Sequence, residues 1–232
     1  MGQTRYKVNT FQAGIFAAPV CAAVSAGDLN NAAVIYNGNP SDVYCNQEGL
    51  KTLFVKGFPQ GQYNPVTNKL VTRDTLKVYI CKSISPYNVI DSSTGILDSV
   101  NLNALFRFYT LNDGSYYIKI KHRNSIETWS NTSVDFSAVA NINHDFIVDD
   151  QYAYGDNETQ VDSSPIRFGL FGGDVDQDGN VDATDIIKTY NDVANIATGY
   201  IATDLTGDRF TDISDLIIVY NNANAVVSVE KP

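Results

Sequence analysis

Residues 174–185 read DVDQDGNVDATD, and residues 204–215 read DLTGDRFTDISD. The second segment begins 30 residues after the first, and the similarity continues downstream, where IIKTYN at 186–191 matches LIIVYN at 216–221. An in-phase internal repeat of this kind indicates a duplicated supersecondary unit. The last sixty or so residues are therefore expected to form two copies of one small structure.

Each copy carries oxygen donors at the spacing of a twelve-residue calcium loop, with ligands at positions one, three, five, nine and twelve and a backbone carbonyl at seven. Calcium is a hard cation that takes six to eight oxygens, and a tight acidic loop supplies them locally. We therefore predict two Ca²⁺ ions. The candidate ligands of the first loop are Asp174, Asp176, Asp178, the Asn180 carbonyl, Asp182 and Asp185, and those of the second loop are Asp204, Thr206, Asp208, the Phe210 carbonyl, Asp212 and Asp215.

The second loop is predicted to bind calcium more weakly than the first. Thr206 offers a neutral hydroxyl where the first loop has the carboxylate of Asp176. Arg209 occupies position six, where the first loop has Gly179. A left-handed conformation at that position costs a residue with a side chain about 1–2 kcal/mol.

Both loops end in Asp rather than in the Glu of an EF-hand, and residues 166–173 before the first loop indicate a strand and a turn rather than a helix. This combination resembles a dockerin, a module of two loop–helix units that pack antiparallel and bind a partner domain called a cohesin. The resemblance covers residues 174 to about 229 and implies helices at roughly 184–195 and 214–224. It also implies that a partner contacts Ala183, Thr184, Asn191, Ile213, Ser214 and Asn221.

Upstream of the repeat, short β-type runs alternate with turn residues, which predicts an antiparallel β-sandwich over residues 50–171. The clearest runs are 53–55, 75–82, 104–109 and 116–122, with later candidates at 134–139, 144–148 and 166–170. An Asn112-Asp113-Gly114 turn between two of these runs predicts a β-hairpin. Residues 53–129 resemble the transthyretin-like or prealbumin-like sandwiches of bacterial surface proteins. The expected fold is mainly β, with a small α-helical dockerin-like calcium-binding domain at 172–232.

Residues 1–49 are predicted to form an apolar arm or strand. Arg5 and Lys7 precede an apolar run at 13–24, which reads either as a signal peptide or as a strand that pairs with a neighbouring subunit's sheet edge. The three cysteines fit no metal spacing and no CxxC motif, so they are treated as structural, with a Cys21–Cys45 disulfide as one possibility beside the third residue, Cys81.

Composition excludes several functional classes. A net charge of −10 argues against nucleic acid as a partner, and no apolar run is long enough to span a membrane. His122, Ser125 and Glu127 lie on one extended segment without a nucleophile elbow, so no catalytic residue is assigned. The sequence predicts a secreted, cell-surface, calcium-binding structural protein that is not an enzyme. It either assembles with itself into a surface or filamentous structure or docks to a separate cohesin-like partner.

Overall fold

The structure is a computed structural model, and it describes residues 50–137 and 142–232. The predictions made for residues 1–49, including the Cys21–Cys45 disulfide and the apolar arm, lie outside the described residues. Residues Lys51–Pro232 form one compact unit. This part of the chain is mainly β, with two α-helices near its carboxyl end.

The strands and helices follow one another along the chain with the helices last. In order they are β1 (Lys51–Lys56), β2 (Tyr63–Asn64), β3 (Lys69–Leu70), β4 (Asp74–Lys82), β5 (Val89–Leu97), β6 (Asn103–Phe108), β7 (Ser115–Lys121), β8 (Thr128–Trp129), β9 (Val134–Asp135), β10 (Ile142–Asp145), β11 (Thr159–Ser163), β12 (Ile166–Gly169), α1 (Ala183–Ala194) and α2 (Ile213–Asn224).

Two sheets enclose the main core, in the manner of a β-sandwich. One has the order β10-β1-β6, and the other has the order β5-β4-β7-β8 with β9 also paired to β7. Burial alternates along β4, where Leu76, Val78 and Ile80 are buried while Thr75 and Lys77 are exposed. This alternation places one face of each sheet in the core. The core contains side chains from both sheets, among them Leu53, Val55, Phe106, Phe108, Ile118 and Ile120.

Two details of the predicted sandwich are wrong. The sheets are not wholly antiparallel, because β1 and β10 run parallel, with Leu53 opposite Ile142. The hairpin across Asn112-Asp113-Gly114 is absent, because β6 pairs with β1 whereas β7 pairs with β4. Residues 109–114 lie between the two strands, and Leu111 in this connection is buried in the core. The connection is too long for a two-residue turn, and it crosses from one sheet to the other.

The two helices begin with the same capping arrangement. Asp182 and Asp212 are the N-caps, and Asp185 and Asp215 at the third helical position complete a capping box in each helix. A capping box satisfies amides that the first helical turn leaves without partners. The helix positions implied by the dockerin resemblance agree with the observed bounds to within one residue.

The helical tail shares a core with the sandwich. Ile126, which precedes β8, is buried among Val175, Val181, Leu205, Val219 and Val227 of the repeat. Gln60 Oε1 also accepts hydrogen bonds from the Gly172 amide at 3.0 Å and from Asn222 Nδ2 of α2 at 2.8 Å. These contacts fix the tail on the sandwich, and a domain boundary at residue 172 stays a prediction.

Candidate metal centre

Three carboxylates of the first loop converge at the start of α1. One carboxylate oxygen from each of Asp174, Asp176 and Asp185 lies within 4.8 Å of the other two. Asp174 and Asp185 are buried, whereas Asp176 is exposed. Oxygen donors of this kind and proximity suit a hard divalent cation. The structure thus brings together three of the ligands predicted for this loop.

Asp185 is held in place by the helix that it starts. Its Oδ2 accepts a hydrogen bond from the Asp182 amide at 3.0 Å. Its Oδ1 accepts hydrogen bonds from the amides of Val175 at 2.8 Å and Asp176 at 3.3 Å. One side chain therefore ties the beginning of the loop to the beginning of the helix, so the same residue belongs to the capping box and to the three-carboxylate group.

Asp174 is the least satisfied carboxylate of the cluster. Its Oδ2 accepts a hydrogen bond from the Gly179 amide at 3.2 Å, but its buried Oδ1 has no hydrogen-bond partner among the described residues. Burial, and then the charge of Asp185, raise the pKa of Asp174 to about 7. Burial also raises the pKa of Asp185. A buried carboxylate oxygen without a partner is costly unless a proton or a cation compensates it, so the cluster fits a cation.

The remaining acids predicted for the first loop serve its backbone. Asp178 Oδ1 accepts a hydrogen bond from the Asn180 amide at 2.8 Å, and Asp182 Oδ1 accepts one from the Thr184 amide at 2.7 Å. Both aspartates are exposed. Neither belongs to the three-carboxylate group, so their role as ligands stays a prediction.

The second loop repeats the frame of the first around Asp215. This buried side chain accepts hydrogen bonds from the amides of Leu205 and Thr206, both at 2.8 Å, and from the Asp212 amide at 2.9 Å. Asp208, which is exposed, accepts a hydrogen bond from the Phe210 amide at 2.9 Å. Within residues 50–137 and 142–232, no group of three acids converges in this loop as it does in the first.

The first carboxylate of the second loop faces an arginine of the sandwich. Arg123 Nη2 lies 3.7 Å from Asp204 Oδ2, and Arg123 Nη1 donates a hydrogen bond to the Asp204 carbonyl at 3.0 Å. The same guanidinium lies 3.4 Å from Asp74 Oδ2 and stacks over the ring of Tyr200 at 4.4 Å. A fixed positive charge therefore already stands beside Asp204, whereas the first carboxylate of the first loop lies in a group of three converging carboxylates.

Asp74 holds this arginine from the sandwich side. It accepts hydrogen bonds from Tyr200 Oη at 2.5 Å and from Gln62 Nε2 at 2.7 Å, and His122 Nε2 lies 3.0 Å from its Oδ2. Burial opposes the ionisation of Asp74, but its hydrogen bond to His122 and the other polar contacts outweigh burial and hold its pKa well below the usual range. The second loop is thus joined to the sandwich through a buried, charged network.

The two loops carry their glycine at different positions, position six in the first loop and position four in the second. Positive φ angles occur at positions four and six of both loops, at Gln177 (64°) and Gly179 (94°) in the first and at Gly207 (77°) and Arg209 (73°) in the second. Each loop therefore holds one residue with a side chain in the left-handed region. The predicted strain at Arg209 is present, but it does not distinguish the loops, so that part of the argument for a weaker second loop is wrong. The two loops still differ at position three, where the second has Thr206 and the first has the carboxylate of Asp176.

The two loop–helix units exchange hydrogen bonds reciprocally. The Val181 amide of the first loop donates to the Val227 carbonyl that follows α2 at 2.8 Å. The Thr211 amide of the second loop donates to the Ala197 carbonyl that follows α1 at 2.9 Å. The partners in these bonds correspond to each other in the repeat. Such reciprocity is what an approximate two-fold axis between the units produces.

The six residues that the resemblance assigns to a partner are all exposed. They lie at the starts of the two helices and further along them. Sequence reasoning missed four large exposed side chains on the same helices, namely Ile187, Tyr190, Ile217 and Tyr220. Each residue of the first helix stands 30 residues before its counterpart in the second, so the repeat itself was the signal that could have found them. Together these four residues form what we call the repeated apolar face.

The residues considered for catalysis have separate partners. His122 Nδ1 lies 2.8 Å from Asn124 Oδ1, and its Nε2 faces Asp74. Ser125 Oγ is buried and makes no hydrogen bond to a described residue, while Glu127 accepts one from Trp129 Nε1 at 3.0 Å. The three side chains do not form a hydrogen-bonded chain.

Known proteins resemble this chain only distantly. No family model matches the chain, and neither does any curated protein. Among the solved structures that are similar are two interface mutants of a type II cohesin–X-dockerin complex from Acetivibrio cellulolyticus. The C-terminal interface mutant matches at 15% identity with a TM-score of 0.44, covering 74% of this chain and 94% of that chain. The N-terminal interface mutant matches at 16% identity with a TM-score of 0.43, covering 76% and 97%. Matches this distant carry no functional argument.

Among the described residues, neither helix has the length and apolarity required to cross a membrane.

Proposed function

We propose that this chain is a secreted, non-enzymatic assembly protein whose loop–helix tail binds calcium and docks to a protein partner. The observation that carries the proposal is the convergence of Asp174, Asp176 and Asp185, with a buried, unpartnered oxygen on Asp174. These three residues would hold the first ion. The bound ion would neutralise carboxylates that otherwise repel one another.

Calcium at the first loop would act on the position of α1. Asp185 belongs both to the cluster and to the capping box of α1, so neutralising the cluster stabilises the start of that helix. Through the reciprocal hydrogen bonds, the first loop also holds the segment that follows α2. The ion would therefore fix both helices and the surface that they present.

The repeated apolar face is the surface that we assign to docking. Large exposed apolar and aromatic side chains stand at matching positions on the two helices, and aromatic side chains are enriched at protein interfaces. Ala183, Thr184, Asn191, Ile213, Ser214 and Asn221 extend this surface along the helices. The partner is a second copy of the chain or, as the alternative, a separate cohesin-like protein.

Sedimentation velocity of the full chain, in millimolar calcium and again in chelator, tests the proposal. Self-assembly predicts large species with calcium and a smaller species without it. A compact monomer in both conditions indicates the separate partner. Calcium binding is measured on the same samples by titration calorimetry, and a chain that binds no calcium contradicts the proposal in both forms.

Substitutions on the repeated apolar face sharpen the test. Tyr190→Ala combined with Tyr220→Ala should abolish the large species, or capture of the separate partner, without changing calcium binding. Tyr109→Ala is a matched control because Tyr109 is 54% exposed, as is Tyr220, but follows β6 of the sandwich. Assembly that is lost equally in the control variant would show that this face has no special role.

A further inference from the structure

A second acidic segment lies outside both loops, from the last residue of β10 to the residue before β11. It spans residues 145–158 and contains two short 3₁₀ turns, Asp150–Tyr152 and Tyr154–Asp156. Its carboxylates are those of Asp145, Asp149, Asp150, Asp156 and Glu158. An acidic surface segment alone needs no ligand, because water solvates exposed carboxylates.

Glu158 differs from the other members of the segment because it is buried. The residue is only 6% exposed, and neither of its carboxylate oxygens has a hydrogen-bond partner among the described residues. A buried carboxylate loses its hydration, and nothing replaces it here. The side chain therefore requires either a proton or a cation from outside the chain.

The surroundings of Glu158 increase this requirement. Burial, and then the negative charges of Asp150 and Asp145, raise the pKa of Glu158 well above the usual range. Lys56 Nζ lies 3.0 Å from Asp145 Oδ2, so the charge of Asp145 is already paired. Burial lowers the pKa of His144, the residue before Asp145, to about 4, so this side chain is neutral at physiological pH.

We propose that Glu158 anchors a third cation site, in which Asp150 supplies a further oxygen to a hard divalent ion such as calcium. Carboxylate oxygens are the ligands that such ions take. No three acids of this segment converge to within 4.8 Å as those of the first loop do. Glu158 is buried and Asp150 is half-buried, so Glu158 is the inner ligand of the proposed site and Asp150 the ligand nearer to solvent.

The proposed ion would order an irregular part of the sandwich at its contact with the tail. The segment is held by Asn131, whose amide donates to the Tyr152 carbonyl at 2.9 Å and whose Nδ2 donates to the Gln151 carbonyl at 2.9 Å. Asn157 Nδ2, adjacent to Glu158, donates to the Ser228 carbonyl at 3.0 Å. Ser228 lies beyond α2, so the ion would support the junction between sandwich and tail.

Equilibrium dialysis with radioactive calcium tests the site by counting ions per chain. Glu158→Gln keeps the shape of the side chain and removes its charge, and we expect it to bind one ion fewer than the wild-type chain. Asp135→Asn, which changes an exposed carboxylate on β9, should leave the count unchanged. An equal count for wild type and Glu158→Gln would overturn the proposal and assign the buried carboxyl to its protonated form.

A second variant covers the case in which Glu158→Gln does not fold. Asp150→Asn changes a partly exposed side chain, and we expect it to weaken the binding of one ion at least tenfold. Unchanged affinity would overturn the site. Asp174→Asn removes a different ion, so its combination with Glu158→Gln should lose two. If the loops bind no calcium, the ion that depends on Glu158 is still counted, which separates failure of this site from failure of the proposed function.

Discussion

The two loops have the same backbone conformation but differ in the charge that faces their first carboxylate. In the first loop, Asp174 lies beside Asp176 and Asp185, and one of its oxygens is buried without a hydrogen bond. In the second loop, Asp204 lies 3.7 Å from the guanidinium of Arg123. One copy thus leaves room for an outside cation, whereas the other is already approached by a cation of the chain.

This difference arises outside the repeat. Both loops have the same capping boxes and positive φ angles at the same two positions, so the backbone of the repeat does not distinguish their first carboxylates. The sandwich breaks the equivalence by placing Arg123, held by Asp74, against the second copy only. Under the proposed function the first loop would be the main calcium site, whereas the second is joined to the sandwich through Arg123.

The largest effect is expected from removing the buried charge of the first loop. At calcium concentrations 100-fold above the dissociation constant, Asp174→Asn should lose about 2.7 kcal/mol of unfolding free energy, which is the contribution of the lost ion. In chelator it should instead stabilise the chain slightly, because one of two repelling carboxylates is gone. Chemical denaturation in both conditions measures the two changes.

Asp204→Asn is the matched variant in the second loop. It should lose less stability in calcium, because Arg123 already compensates part of the charge of Asp204. In chelator it should stabilise less than Asp174→Asn does, because burial raises the pKa of Asp204 as it raises that of Asp174, but Arg123 opposes the rise. If Asp174→Asn and Asp204→Asn respond alike, the loops are equivalent and the comparison fails.

Removing the arginine of the sandwich should give the next largest effect. Arg123→Met leaves Asp74 and Asp204 without their shared cation, and breaking a largely buried ion pair of this kind costs about 2 kcal/mol once partial exposure is allowed for. In calcium the loss should be smaller, because an ion can then compensate Asp204. Chemical denaturation in calcium and in chelator measures the loss of unfolding free energy in each condition. Arg107→Met, which replaces an exposed arginine on β6, is the control. A loss that calcium does not reduce would contradict this reading of the second loop.

The helices were predictable from the sequence because local signals agree there. Capping acids, loop spacing and the repeat all indicate the same starts for α1 and α2. Strands that are half buried were also predictable from alternation, as in β4. The nine-residue strand β5 was missed because it lies at a sheet edge and is mostly exposed, with Ile90 and Ile96 facing solvent among polar residues.

The asymmetry of the site was not predictable from the sequence. Arg123 and Asp204 are 81 residues apart, and no local pattern connects a residue after β7 to the second loop. Glu158 reads as one acid among several, and only its burial separates it from its neighbours. Pairings over long sequence distances depend on how the sheets pack, which periodicity does not specify.

A smaller effect is expected in the pH dependence of stability, to which Asp174 contributes when calcium is removed. Because the pKa of Asp174 is raised to about 7, the folded chain without calcium holds a proton that the unfolded chain releases near pH 4. Its stability in chelator should therefore fall as pH rises from about 4 to about 7, by an amount on the order of 1 kcal/mol for this residue. Glu158 contributes with the same sign, so the measured quantity is the difference in slope between wild type and Asp174→Asn.

Calcium should reverse this trend, because the ion needs deprotonated ligands and binds better as pH rises. Denaturation at several pH values, with and without calcium, checks both signs. An identical pH slope for wild type and Asp174→Asn in chelator would show that Asp174 does not titrate in this range.

The smallest effect concerns the exchanged glycines. Arg209→Gly removes a left-handed residue whose exposed side chain donates no hydrogen bond found in the described structure, so relief of strain should slightly exceed the added entropy of the unfolded chain, giving about 0.5 kcal/mol of stabilisation. Gln177→Gly relieves the same strain but loses hydrogen bonds from Gln177 Nε2 to the carbonyls of Asp174 at 2.7 Å and Ser125 at 3.2 Å. It should therefore give no gain. Thermal denaturation in chelator compares the two variants. Destabilisation by Arg209→Gly would mean that the arginine side chain stabilises the second loop by more than its backbone strain costs.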